Sequence, residues 1–305
     1  MNQLSTSYQR CRRLARQSAS NFAWSFWLLP REKRRAMYAL YAFMRQTDDL
    51  GDNAGPAADR RGALLAWRDD FASSLHGTTN HPLLPAIADT VRQFAIPPRY
   101  LHEVIDGVLS DCDDTTAANT PRFATFGQLE NYCQQVASAV GLACIHVWGF
   151  TDEQALAPAR DCGIAFQLTN ILRDLKEDAD QGRIYLPQED FDRFDYSPDE
   201  LRRGITNSAF AELMRFEVAR AEEYYQRAVA LEPYLSAEGR RLFGTMVATY
   251  RGLLDKIKGL DTAVLERRAR LSRWRKLQIM GSWLLMRPSL VVPGRQLPAG
   301  QLRRP

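Results

Sequence analysis

The run Ile164-Ala165-Phe166-Gln167-Leu168-Thr169-Asn170-Ile171-Leu172-Arg173-Asp174-Leu175-Lys176-Glu177-Asp178 carries two patterns at once. Its apolar residues recur at three- and four-residue spacing, which predicts a helix over about 152–179. Gln167, Asn170, Asp174 and Asp178 recur at the same spacing, so they share one stripe, with Arg173 at its edge. Asp174 and Asp178 are one turn apart on that stripe.

The same period extends through the chain. Arg31 to Asp52 follows Pro30 and repeats Met37, Leu40, Tyr41, Met44 and Arg45 at helical spacing. Further helices are predicted over about 58–76, 82–94, 98–111, 125–149, 207–232, 235–259 and 263–286. Pro/Gly/Asn/Asp clusters separate them, as at Asn53-Ala54-Gly55-Pro56 and Ile96-Pro97-Pro98. Strand alternation is nearly absent. The expectation is one all-α domain, and 305 residues suffice to bury a core and still enclose a cavity.

Composition excludes several classes. With 45% apolar and 25% charged residues the chain is neither disordered nor collagen-like. A formal charge of +4 is too mild for a nucleic-acid footprint. Cys11, Cys112, Cys133, Cys144 and Cys162 are odd in number and scattered, which suits a reducing cytoplasm without disulfides. Neither a secretory leader nor a spanning segment is legible; Leu277 to Val292 is broken by Gly281, Arg287 and Pro288. No P-loop, serine elbow or Glu-x-x-His is present. Charge is unevenly placed: from Glu266 onward there are ten Lys/Arg and one acid, a net of +9 against −5 for the rest.

A second acidic pair lies in Asp48-Asp49-Leu50-Gly51-Asp52, where Asp48 and Asp52 repeat the one-turn geometry. Tyr38, Tyr41, Met44 and Arg45 precede it on or beside the same face. Carboxylates one turn apart can hold hard cations such as Mg²⁺ together with substrate phosphates. Arg45 and Arg173 would add charge-assisted bonds to phosphate oxygens. A solvated acidic face is the competing reading, but the neighbours are core-type residues. Other candidates stay open. Ser18, Ser20 and Asn21 could hold phosphate or cap a helix. The run Phe22, Trp24, Phe26 and Trp27 could shield a carbocation or form plain core. Tyr132 is a core tyrosine or a polar group over a cavity, and the small residues Ala137-Ser138-Ala139 and Gly141 admit a helix or a ligand.

Asp48-Asp49-Leu50-Gly51-Asp52, Tyr132-Cys133 with Val136-Ala137, the Gln167–Asp178 run and Gly182-Arg183-Ile184-Tyr185-Leu186-Pro187 together resemble the squalene/phytoene synthase family, from about Ser7 to residue 275. The resemblance implies an isoprenoid-synthase fold around a central cavity in residues 1–275, followed by a basic, apolar tail over 276–305. It implies Mg²⁺-dependent (or Mn²⁺-dependent) head-to-head condensation of two identical allylic polyprenyl diphosphates. Asp48, Asp52, Asp174 and Asp178 would hold the metal and diphosphate, helped by Asn170; Arg45 and Arg173 would contact phosphate. Tyr41, Tyr132, Gln167 and Tyr250 would line the reaction zone, with Tyr132 or released pyrophosphate taking a proton. Gly51 and Ser138 depart from the family pattern, implying a looser turn and an altered cavity wall.

Phe26 and Tyr38 fall where the family sets pocket depth, and their bulk favours farnesyl diphosphate, hence presqualene diphosphate and squalene, with NADPH needed only for squalene. Phytoene synthesis from two geranylgeranyl diphosphates is the alternative. A head-to-tail prenyl diphosphate synthase, a terpene cyclase and a non-enzymatic helical adaptor are further rivals. The tail, with Trp274, Ile279, Met280, Trp283, Leu284 and Leu285 among its basic residues, suggests peripheral contact with the inner face of a membrane.

Overall fold

A computed structural model describes residues 3–17, 23, 25–53, 55–112 and 120–285. These form helices, with no β-strand among the described residues beyond two isolated bridges. The first helices are α1 (Gln3–Gln17), α2 (Arg31–Gly51), α3 (Ala57–Leu75), α4 (Leu84–Gln93) and α5 (Pro98–Cys112). They are followed by α6 (Phe126–Cys133), α7 (Ala139–Trp148) and α8 (Leu156–Asp180). Next come α9 (Gln188–Arg193), α10 (Pro198–Arg203), α11 (Ser208–Ala228), α12 (Ala237–Leu260) and α13 (Arg273–Leu285).

The sequence fails to predict α1, whose apolar stripe is interrupted by serines and arginines. It docks by Tyr8, Cys11 and Ala15. Its buried Ser7 hydroxyl donates to the Leu83 carbonyl (3.0 Å) and accepts from the Ala86 N–H (3.0 Å). A polar residue inside the apolar stripe is thereby satisfied, where an unpaired one would cost about 1–3 kcal/mol. The short helices α9 and α10 also escaped prediction. Ser197 caps α10 with a reciprocal Ser–Glu200 box, and Gly204 ends it in the left-handed conformation.

α8 runs through the middle and buries Ile164, Leu168, Ile171, Leu172 and Leu175. Against α11 its buried Thr169 hydroxyl meets Tyr225 Oη at 2.8 Å. α2 packs Phe43 onto Trp67 and Phe71 of α3, and Trp67 Nε1 donates to Thr47 Oγ1 at 3.0 Å. Burying each such ring stabilises the fold by about 1.5–3 kcal/mol.

The helix predicted over 125–149 is interrupted. Gln134–Ser138 forms one π-helical turn between α6 and α7. It meets α8 where Gly163 has no side chain: a Cβ there would lie 2.5 Å from Ser138 Cα and 2.6 Å from Ser138 N. Gly51, where a looser turn is expected, also has a packing role. A Cβ at Gly51 would lie 2.4 Å from Val108 Cγ1, so glycine lets α2 close on α5.

The segment predicted as a helix over 263–286 divides into a 3₁₀ turn at Asp261–Leu265, non-helical residues 266–272 and α13. The boundary expected at 275 falls within α13. Ile279 of that helix is buried, and the Trp283 ring lies against Gly244 of α12. Trp274 is 78% exposed. Residues 286–305 of the expected tail lie outside the described residues, and no described helix is long and apolar enough to cross a membrane. The five cysteines are buried free thiols.

Candidate active site

A cavity of about 970 Å³ opens between α2, α5, the π turn, α7, α8 and α12. This is at the upper end of ligand-pocket sizes, ~300–1,000 Å³. Apolar side chains such as Phe26, Leu40, Val140, Trp148, Phe166 and Phe243 make most of its wall. Polar groups include Tyr41, Arg45 and Asp48 from α2, Gln167, Asn170 and Arg173 from α8, and Tyr250 from α12.

The helical stripes explain this convergence. Tyr41, Arg45 and Asp48 occur at three- and four-residue spacing, as do Gln167, Asn170 and Asp174. Asp52 caps the end of α2, its N–H donating to the Asp48 carbonyl. Arg183, in the turn after α8, lies 3.8 Å from Asp52, and its charge partly opposes the rise that burial and Asp174 impose on the pKa of Asp178. It therefore stands between the ends of the two acidic stripes.

Asp48 is exposed to the cavity mouth, yet protein encloses most of the volume around it. That desolvation, with Asp52 adding repulsion, pushes its pKa up to about 7. Asp178 is likewise raised to about 7, first by burial and then by Asp174. Both carboxylates are thus poorly compensated. Asn170 Oδ1 is buried without a hydrogen-bond partner, while its Nδ2 donates to Gln167 Oε1 at 3.3 Å. Hard carboxylate oxygens and an orphaned carboxamide oxygen are a donor set suited to a hard divalent cation. Among the described residues, no three His, Cys, Asp or Glu side chains already converge on one point.

Asp174 is held by arginines. Arg173 Nε donates to its Oδ1 at 2.9 Å, and Arg268 bonds Asp174 at 2.7 Å and Glu177 at 2.8 Å. Arg268 and its neighbours Ala269, Arg270 and Leu271 form part of the cavity wall. Sequence reasoning missed Arg268, because it lies within an arginine-rich run, Arg267-Arg268-Ala269-Arg270, that resembles a solvated tail. On α2, Arg45 pairs with Asp49 at 2.6 Å while lining the cavity.

Of the aromatic candidates, Phe26, Tyr41 and Tyr250 line the cavity. Phe166 stacks on Tyr250 with ring centroids 4.4 Å apart. Tyr38 does not line it. It is buried behind Phe26, ring edge to ring face at 5.7 Å, and borders α1 instead of the cavity. Tyr132 is also off the cavity wall. It stacks on Tyr185 (5.6 Å), its hydroxyl donates to Asp111 at 3.2 Å, and the Arg122 guanidinium lies over its ring at 4.6 Å. Arg122 in turn bonds Asp111. Burial, with Tyr185 beside it, holds the Tyr132 hydroxyl well above the usual phenol range. Ser138 does not alter the cavity wall either: it is buried, and its hydroxyl donates to the Arg160 carbonyl at 2.7 Å. The wall there is Val136, Ala137, Val140 and Gly141. Ser18, Ser20, Asn21, Phe22 and Trp24 lie outside the described residues.

The family model for squalene/phytoene synthase matches residues 15–275. The chain is 33% identical to a 15-cis-phytoene synthase of Synechococcus elongatus, covering 90% of this chain and 91% of that protein. It is 32% identical to a phytoene synthase of Mycobacterium tuberculosis, covering 93% and 92% respectively. Among solved structures, a dehydrosqualene synthase in complex with ligand superposes with a TM-score of 0.82 at 26% identity, over 92% of this chain and 96% of that one. A squalene synthase from Alicyclobacillus acidocaldarius gives 0.76 at 25% identity, over 85% and 98%. The chain belongs to the squalene/phytoene synthase family, prenyltransferases that join polyprenyl diphosphates head to head with the help of a divalent metal.

Proposed function

We propose that the protein condenses two molecules of farnesyl diphosphate head to head to presqualene diphosphate. The supporting observation is a largely apolar cavity that Arg45 and Asp48 enter from α2 and Gln167, Asn170 and Arg173 enter from α8. Asp48, Asp52, Asp174, Asp178 and Asn170 would hold Mg²⁺, or Mn²⁺ in its place. The metal, when bound, supplies positive charge against the departing pyrophosphate.

Arg45 and Arg173 bind phosphate oxygens and stabilise the charge that develops as the donor's C–O bond breaks. Tyr41, Phe26 and the stacked Phe166–Tyr250 pair present ring faces to the allylic cation left behind. The acceptor's double bond attacks that cation, and proton loss closes the cyclopropane. Tyr132 is bonded to Asp111 and set back from the cavity, which supports released pyrophosphate over Tyr132 as the acceptor of that proton. Gln167 and Asn170, bonded to each other, fix the polar end. The apolar wall excludes water from the cation.

Phe26, with Trp148 and Phe243 on the wall, supports the shorter C15 substrate. A second reading, phytoene synthesis from two geranylgeranyl diphosphates, is favoured by the printed names of the sequence relatives. Incubation with either diphosphate and Mg²⁺, with and without NADPH, followed by identification of the lipid, separates them. No pyrophosphate release from either would overturn the assignment. The apolar hydrocarbon of the completed reaction, squalene or phytoene, further supports work at a membrane's cytoplasmic face; loss of vesicle binding on truncation after Arg287 would test the tail's part in it.

A further inference from the structure

A second concavity, of about 420 Å³, lies between α1, the 3₁₀ turn Ser25–Leu28 and the start of α2. Five arginines line it: Arg12 and Arg16 from α1, and Arg31, Arg34 and Arg35 from α2. None of the five makes a salt bridge among the described residues. The nearby acids are otherwise engaged: Glu32 accepts from Gln93, and Asp89 accepts from Tyr8 Oη at 2.8 Å.

Three of these arginines occupy the first turns of α2, where the helix dipole is itself positive and Pro30 provides no capping side chain. Arg34 Nε is buried and has no hydrogen-bond partner. The Trp27 ring, 58% exposed, lies 4.4 Å from the Arg34 guanidinium and 5.8 Å from that of Arg16. Arg35 lies over Tyr8 at 4.1 Å. Such contacts restrain the guanidiniums without neutralising them. Folding has therefore gathered positive charge, a positive helix end and an orphaned donor around one hollow that shares no lining residue with the active-site cavity.

We propose that this hollow binds a phosphate group, carried by a soluble anion or by the headgroup of an amphiphile. Arginine forks match phosphate oxygens in pairs, and an exposed tryptophan at the rim suits the boundary between headgroup and apolar chain. The full-length protein is tested with two probes: inorganic pyrophosphate in metal-free buffer, and phosphatidylcholine vesicles with or without phosphatidic acid.

The variant Arg12→Gln/Arg16→Gln changes two exposed, unbridged side chains on α1, and Arg34→Gln removes the orphaned donor. The wild type is expected to bind at least one probe, and each variant to bind it ~10-fold more weakly or worse with unchanged circular dichroism. Flotation with phosphatidic acid vesicles alone identifies a headgroup site. Quenching by pyrophosphate that Trp27→Phe abolishes identifies a soluble-anion site. Equal binding of both probes by wild type and variants, or no binding at all, overturns the proposal. Condensation by the Arg12→Gln/Arg16→Gln protein should persist in detergent, so failure here is separable from failure of the proposed reaction.

Discussion

Substituting Gly163→Ala tests the tightest approach to main-chain atoms at any described glycine. The new methyl would lie 2.5 Å from Ser138 Cα, 2.6 Å from Ser138 N and 2.8 Å from the Ala137 carbonyl carbon. All three are main-chain atoms, so no rotamer change can make room. α8 and the π turn must separate by at least about 0.5 Å merely to bring the shortest contact to 3.0 Å. Overpacking of this kind costs about 1–3 kcal/mol, against a helix-propensity gain of about 1 kcal/mol for replacing glycine. The net expectation is a loss of up to about 2 kcal/mol, or a melting temperature lowered by up to about 3 °C for a domain of this size. Gly62→Ala is the control, since a Cβ there meets nothing within 4 Å in α3. It should gain about 0.5–1 kcal/mol. Circular dichroism melts and urea titrations of the three proteins measure both signs. Because Ala137 and Gly163 both line the cavity, the alanine variant should also lose turnover. A Gly163→Ala protein as stable as Gly62→Ala would refute the packing argument.

Asp48→Asn and Asp174→Asn should each lower turnover by at least ~100-fold with melting temperature nearly unchanged, measured by pyrophosphate release. Arg268→Gln removes contacts to Asp174 and Glu177 from a half-exposed side chain, so its effect should fall on substrate KM and little on stability, read from initial rates and melts. Ser138→Gly removes the bond to the Arg160 carbonyl; it should cost about 1 kcal/mol in urea titrations yet leave the product unchanged by chromatography. Glu217 is buried beside Arg220 and Asp190, and burial raises its pKa to about 8, although Arg220 opposes the shift. The native state then holds a proton the unfolded chain has released between about pH 4.5 and 8, so stability should fall as pH rises through that window. Glu217→Gln should flatten that slope in melts across pH.

Both acidic stripes were legible because each is a local pattern: i, i+4 spacing on one helix determines which carboxylates are neighbours. What joins the stripes is not local. Arg183 near Asp52, and Arg268 on Asp174, are contacts between residues more than ninety positions apart, and nothing in either arginine's surroundings marks its partner. Tyr38 was misplaced for a related reason. Period alone puts it near Tyr41, but only the docking of α1 decides which side of α2 faces the cavity. α1 was itself hidden, since Ser7 reads as polar surface until its bonds to Leu83 and Ala86 are seen.

The π turn at Gln134–Ser138 also acts as a change of phase. One extra residue in a helical path rotates everything beyond it by about 100° relative to everything before. Upstream, Tyr132 can therefore point at Asp111 while downstream Val140 and Gly141 face the cavity. Deleting a single residue from this turn would restore an unbroken α-helix and set the two faces in conflict. Either the tyrosine would leave Asp111 and Arg122, or the cavity wall would turn away from the substrate. The small-residue run is thus a joint that lets one helix serve two surfaces, and its length matters as much as its composition.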